Sequence, residues 1–110
     1  MFLLDTNVVS ELRRLDRADA NVRAWALSQP AALFHISVVT VLEIEHGILL
    51  VGRRDHRQEA MLRTWFQTNV LEAFAERILP IDKNIAQRCA ALHVPDPRPE
   101  RDAMIAATAL

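Results

Sequence analysis

Cysteine, glycine and lysine are all scarce in this 110-residue sequence, and each shortage excludes something. The one thiol, Cys89, permits no intrachain disulfide and no cysteine-rich zinc site, so a cytoplasmic, reducing compartment is expected. Two glycines, Gly47 and Gly52, are too few for a nucleophile elbow, a Walker A loop or a dinucleotide-binding fingerprint. The apolar start Met1-Phe2-Leu3-Leu4 stops at Asp5, far short of a signal peptide, so secretion is not expected. The most apolar later stretch, Val38 to Val51, is broken by Glu43, Glu45 and His46, which excludes a membrane span. No repeat or low-complexity tract divides the chain, so it reads as a single domain.

Thirteen Lys+Arg against fourteen Asp+Glu give a formal net charge of -1, which excludes a bulk-electrostatic nucleic-acid binder. All the cations but Lys83 are arginines, whose planar fork suits phosphate and carboxylate. Arg13, Arg14 and Arg17 form one cluster, and Arg53, Arg54, His56 and Arg57 a second, while Arg98 and Arg101 stand close before Asp102. Solvated helix faces carry the same pattern. His35, His46, His56 and His93 show no metal-binding spacing and read as ordinary histidines, and Met1, Met61 and Met104 read as core filler.

Phe2 to Leu4 is a short apolar run ending in Asp5-Thr6-Asn7, the pattern of a buried strand feeding a polar turn and then a helix from Val8 to about Leu15. Asp19 or Asn21 caps a second helix with Val22, Trp25 and Ala26 at helical spacing, ending before Pro30. Leu33 to Ile36 is a second strand. Ser37 or Thr40 caps a third helix to about Val51, with Gly52 as its terminator. A fourth helix presents Met61, Leu62, Trp65 and Phe66, extended towards Val70 and Phe74. Ile78 to Ile81 is a third strand interrupted by Pro80, and Asp82 caps a fifth helix through Ile85, Ala86, Cys89 and Ala90. Three alternating prolines make Val94 to Arg101 a loop, after which Asp102 opens a last helix that is still running at Leu110. Apolar strands separated by helices predict an α/β domain with a parallel sheet, thin at three strands.

Ligands of open parallel sheets bind at the carboxyl ends of the strands, where this reading places Asp5. Glu43 comes one or two helical turns after the second strand, and Asp102 starts a helix. Each has a structural alternative: Asp5 and Asp102 as helix caps, and Glu43 as the far end of a Thr40-Val41-Leu42-Glu43 capping box, with Glu45 as a rival. Three such carboxylates brought together require a cation, and oxygen ligands without a cysteine or histidine set favour Mg2+ or Mn2+. Phosphodiester hydrolysis by metal-activated water suits that chemistry.

The opening Phe2-Leu3-Leu4-Asp5-Thr6-Asn7-Val8-Val9-Ser10-Glu11 resembles that of PIN-domain ribonucleases of the VapC toxin type. Three further segments resemble that family in order: Ile36-Ser37-Val38-Val39-Thr40-Val41-Leu42-Glu43-Ile44-Glu45-His46-Gly47, Ile78-Leu79-Pro80-Ile81-Asp82, and Asp102-Ala103-Met104-Ile105-Ala106-Ala107-Thr108-Ala109. The resemblance implies a three-layer α/β PIN-like domain with a parallel sheet. It implies that Asp5, Glu43 and Asp102 hold Mg2+ (or Mn2+) and are catalytic, that Thr6 and Asn7 support them, and that Arg98 and Arg101 contact RNA phosphates. It further implies a type II toxin that cleaves RNA, a cognate antitoxin protein and a homodimer. The family continues past the last helix into a strand with a fourth acidic residue and an edge strand, so residues 1–110 are expected to be a C-terminally truncated PIN domain. An alternative is a catalytically incompetent module that only binds antitoxin or its own copy. An aspartate-nucleophile phosphatase beginning at Asp5 is disfavoured because position 7 is Asn, where such enzymes use Asp as general acid.

Overall fold

The computed structural model describes residues 1–13, 19–94, 96 and 99–109. Three strands, β1 (Phe2–Leu4), β2 (Phe34–Ser37) and β3 (Ile78–Leu79), form a parallel sheet in the order β1-β2-β3. Phe2 stands opposite Phe34 and Leu4 opposite Ile36, while Ile36 and Ser37 face Ile78 and Leu79 on the other side. The central strand is the most hidden, with Ile36 and Ser37 both at 0% exposure, as expected of a parallel strand paired on both edges. The predicted α/β class and parallel sheet are therefore present, although β3 stops at Leu79, before Pro80.

Helices α1 (Thr6–Leu12) and α2 (Ala20–Ser28) lie between β1 and β2, and a 3-10 turn at Ala31–Leu33 leads into β2. Next come α3 (Val38–Gly52), α4 (His56–Trp65) and a π-helical segment at Phe66–Glu72. After β3 the chain forms α5 (Lys83–Leu92) and α6 (Glu100–Ala109). Short polar side chains start several of these helices. Asp5, Asp19, Ser37, Asp55 and Asp82 each accept a hydrogen bond from a backbone amide of the first turn that has no intrahelical partner. Asp5 rather than a later residue caps α1, so the helix begins at Thr6, two residues before the Val8 start expected from apolar spacing. Leu15, Arg14 and Arg17 lie outside the described residues.

The main core joins the sheet to the helices through Leu4, Val9, Phe34, Ile36, Ile44, Ile48, Phe66 and Val70. Trp25 anchors α2 against it, with its ring 5.2 Å from both Phe2 and Phe34. Arg77 seals the start of β2, since its Nε donates to the Phe34 carbonyl at 2.8 Å and its guanidinium also reaches the Ala73 carbonyl. A second, smaller core of Cys89, Ala103 and Ala107 joins α5 to α6.

Two expectations fail, while Gly52 does end α3, as expected. It is a buried, right-handed last residue, and a Cβ there would fall onto the Glu59 carboxylate of α4. Met1 and Met61 are not core filler but are exposed, Met61 at 58%, and only Met104 packs, against the smaller core. The last helix opens at Glu100 rather than Asp102, with the Ala103 amide bonded to the Pro99 carbonyl.

Candidate active site

The carboxyl ends of β1 and β2 feed directly into α1 and α3, and this places Asp5 and Glu43 on the same side of the sheet. Asp5 leaves β1 in an extended conformation and its Oδ1 takes the Val8 amide at 2.9 Å, so the predicted cap forms and the second carboxylate oxygen stays uncommitted. One residue later, the Thr6 Oγ1 lies 2.9 Å from Glu43 Oε1 and 3.2 Å from Thr40 Oγ1. A hydroxyl has a single proton. Thr6 gives it to the charged acceptor, and the Thr40 hydroxyl, fully buried, supplies the second bond. Glu43 is thus oriented by α1, and the capping box expected of Thr40 and Glu43 does not form, because Ser37 caps α3 through the Val39 amide.

Thr6 has the supporting position that the family resemblance implies, whereas Asn7 is exposed and bonds nothing among the described residues through its side chain. Thr40 is the residue that pattern reading missed. It was legible only as a candidate cap, although a threonine inside a helix has to place its hydroxyl somewhere. Asp102 lies on the last helix. It is exposed in the first turn of α6 and borders a hollow with Leu92, Pro99, Ala103 and Ala106. Among the described residues no three His, Cys, Asp or Glu side chains stand close enough to hold a metal ion. The donors do suit a hard divalent cation in kind: all are carboxylate oxygens, and Asp5 and Glu43 each keep one oxygen free of the hydrogen bonds just given. Arg101 is exposed on α6, and Arg98 lies outside the described residues.

A groove of about 280 Å³ opens beside Glu43, between α1, α3 and α4. Thr6, Ser10 and Arg13 form one wall at i, i+4 and i+7 of α1, while Glu43, Gly47 and Val51 form the other at i, i+4 and i+8 of α3. Leu62 and Trp65 close it from α4. Behind it, Glu45 of α3 and Arg63 of α4 make a two-pronged ion pair, with contacts of 2.7 and 2.6 Å. That pairing holds the Glu45 carboxyl below its ordinary range and the Arg63 guanidinium above its own. Among the described residues no helix is long and apolar enough to cross a membrane.

The comparisons agree with this architecture. The chain is 44% identical over 73 residues to Ribonuclease VapC14 of Mycobacterium tuberculosis, covering 66% of this chain and 70% of that protein. It is 35% identical to Toxin FitB of Neisseria gonorrhoeae over 78% of this chain and 60% of that one. The chain thus spans 60% to 70% of the lengths of these two relatives. Its structure superposes on a chain of FitAcB from Neisseria gonorrhoeae with a TM-score of 0.84 and 33% identity, over 99% of this chain and 80% of that one. A chain of a toxin-antitoxin complex from Klebsiella pneumoniae matches with a TM-score of 0.63 and 28% identity, over 99% and 78% of the two chains. The PIN-domain profile matches residues 2–110, and with that match and these relatives the chain belongs to the PIN-domain family.

Proposed function

We propose that this protein is a divalent-metal-dependent endoribonuclease, the toxin of a type II toxin-antitoxin pair, working in the cytoplasm. The observation that carries the reading is the bond from Thr6 to Glu43, which fixes one acidic side chain beside the residue next to Asp5 at the strand ends. Relatives named ribonuclease and toxin, and a structural neighbour described as a toxin-antitoxin complex, support the same reading.

Asp5, Glu43 and Asp102 would hold the cation, Mg2+ or Mn2+. Such a cation, when bound, lowers the pKa of water and stabilises charge developing on phosphate oxygens. Thr6 keeps Glu43 from turning away, and Thr40 keeps Thr6 from turning away. Three carboxylates repel one another until neutralised, so a cation would be needed for Asp102 of α6 to stand together with Asp5 and Glu43. RNA is the substrate, an antitoxin protein the inhibitor, and a homodimer the assembly.

Asp5→Asn separates the two roles of Asp5, because Asn caps a helix as well as Asp but lacks the charge. The expected result is a folded protein whose RNA cleavage in Mg2+ falls by at least about 100-fold. Equal cleavage by the wild type and Asp5→Asn, or wild-type cleavage that persists in excess chelator, sinks the reading. A second reading, a binding module without chemistry, draws on the absence, among the described residues, of three ligating side chains close enough to hold a metal ion. It predicts a folded wild type that binds an antitoxin and cuts no RNA at any metal concentration.

A further inference from the structure

Among the described residues the groove beside Glu43 is lined by one cation, Arg13, and no ion pair involves it, the pairs being His56–Glu59 and Arg63–Glu45. Arg13 instead lies against a ring: its guanidinium carbon stands 6.0 Å from the centre of the Trp65 ring, the outer limit of a cation–π contact. Such a contact holds the guanidinium in place while committing none of its five N–H donors. A half-buried arginine beside a ring on a groove wall, with no ion-pair partner among the described residues, is set up for an anion.

The groove also has room. Apart from its chain neighbours and its own helix backbone, no atom of the described residues lies within 4 Å of where a Cβ on Gly47 would stand, so a side chain there would project into the groove. Gly47 is one turn beyond Glu43, and Arg13 lies about 12 Å along α1 from Asp5 at a helical rise of about 1.5 Å per residue. A chain entering between these walls would meet the carboxylates at one end and the guanidinium at the other.

We propose that this groove carries the RNA strand away from the acidic residues, with Arg13 gripping a phosphate that flanks the cleaved bond and Trp65 acting as a positioning residue for Arg13. The inference rests on the ribonuclease reading and adds to it the path of the strand. The arrangement answers an electrostatic difficulty, since a polyanion approaching a cluster of carboxylates needs a cation of its own near by.

The test measures binding of a short fluorescein-labelled single-stranded oligoribonucleotide in excess chelator, so that no cleavage step enters. Loss of one phosphate contact reduces the slope of log K against log salt by about 0.7 for a single strand. Arg13→Gln is expected to show that reduction together with about 5-fold weaker binding. Arg13→Lys keeps the charge and most of the slope. Gly47→Leu fills the groove while improving on glycine as a helix residue, so it should stay folded and bind RNA markedly less well. Trp65→Leu should weaken binding, and Trp65→Phe, which keeps a ring under Arg13, should not. In Mg2+, Arg13→Gln should raise KM and leave kcat nearly unchanged. If the wild type binds and cleaves RNA but Arg13→Gln and Gly47→Leu match it in affinity, salt slope and KM, this inference falls while the ribonuclease reading stands, whatever those variants do to a protein partner. If the wild type neither binds nor cleaves RNA, both fall.

Discussion

Replacing Thr6 with valine removes one hydroxyl at nearly constant volume, and the structure allows its cost to be worked out. The Glu43 Oε1 loses a donor at 2.9 Å, and the Thr40 hydroxyl loses its acceptor at 3.2 Å. A hydrogen bond to a charged group contributes about 1.5–3 kcal/mol, and the low end applies here because Glu43 is half-buried and water can replace the donor. Thr40 has no access to water, so an orphaned hydroxyl there would cost about 1–3 kcal/mol, but it can turn back to a carbonyl of its own helix. The net loss is then about 2 kcal/mol, which for a domain of this size lowers Tm by about 10 °C. Thr6→Ser should lose less than about 1 kcal/mol, because the proton stays. The Thr6→Val/Thr40→Val double variant should be no less stable than Thr6→Val alone, since it removes the orphan along with its partner. Urea and thermal unfolding measure all three. A Thr6→Val protein as stable as Thr6→Ser would refute the relay.

Glu45→Gln should cost under about 1 kcal/mol, because the pair with Arg63 is more than a third exposed on both sides and water screens it. As the carboxyl is depressed in the folded state, that contribution is present above its unfolded pKa of 4.5 and fades as pH falls through the lower folded value. Wild type and Glu45→Gln should therefore differ in Tm near neutrality and converge in acid, and a difference that grows in acid would reverse the assignment. Phe66→Ala empties a fully enclosed site in the main core and should cost about 3–5 kcal/mol by urea unfolding, where a loss below about 1 kcal/mol would contradict the packing.

Strand number, helix count and most caps were legible because they are local: an apolar triplet before Asp5, a serine after Ile36 and an aspartate after Ile81 each announce a helix that begins within one turn. The features that stayed hidden depend on partners far along the chain. Gly52 was legible as the end of α3, but the reason for a glycine there was not: the Glu59 carboxylate of α4 fills the space where its Cβ would stand. Met61 matched the apolar spacing of α4 and yet faces solvent, since spacing identifies a stripe without saying where the neighbouring elements end. Asp5 and Glu43 were legible as candidates, and their connection was not, because it runs through Thr6 and the buried Thr40. Arg13 was grouped with Arg14 and Arg17 as one more surface cluster, and only the approach of Trp65 from α4 distinguishes it.

Among the described residues the buried apolar side chains gather in two clusters, which differ in how much area they hide. The larger one ties β1, β2, α3 and the π-helical segment together, while Cys89, Ala103 and Ala107, flanked by half-buried Ile85, Leu92 and Met104, tie α5 to α6 as a helical hairpin with a small buried centre. Alanines interdigitate closely but bury little area each, so the hairpin can part from the sheet at a smaller free-energy cost than the sheet's own unfolding. Asp102 travels with the hairpin, whereas Asp5 and Glu43 travel with the sheet. A ligand that draws donors from both the sheet and the hairpin acts as a stitch: its affinity is lowered by the share of molecules in which the hairpin is undocked, and each molecule it binds is one whose two halves exchange their amide hydrogens together.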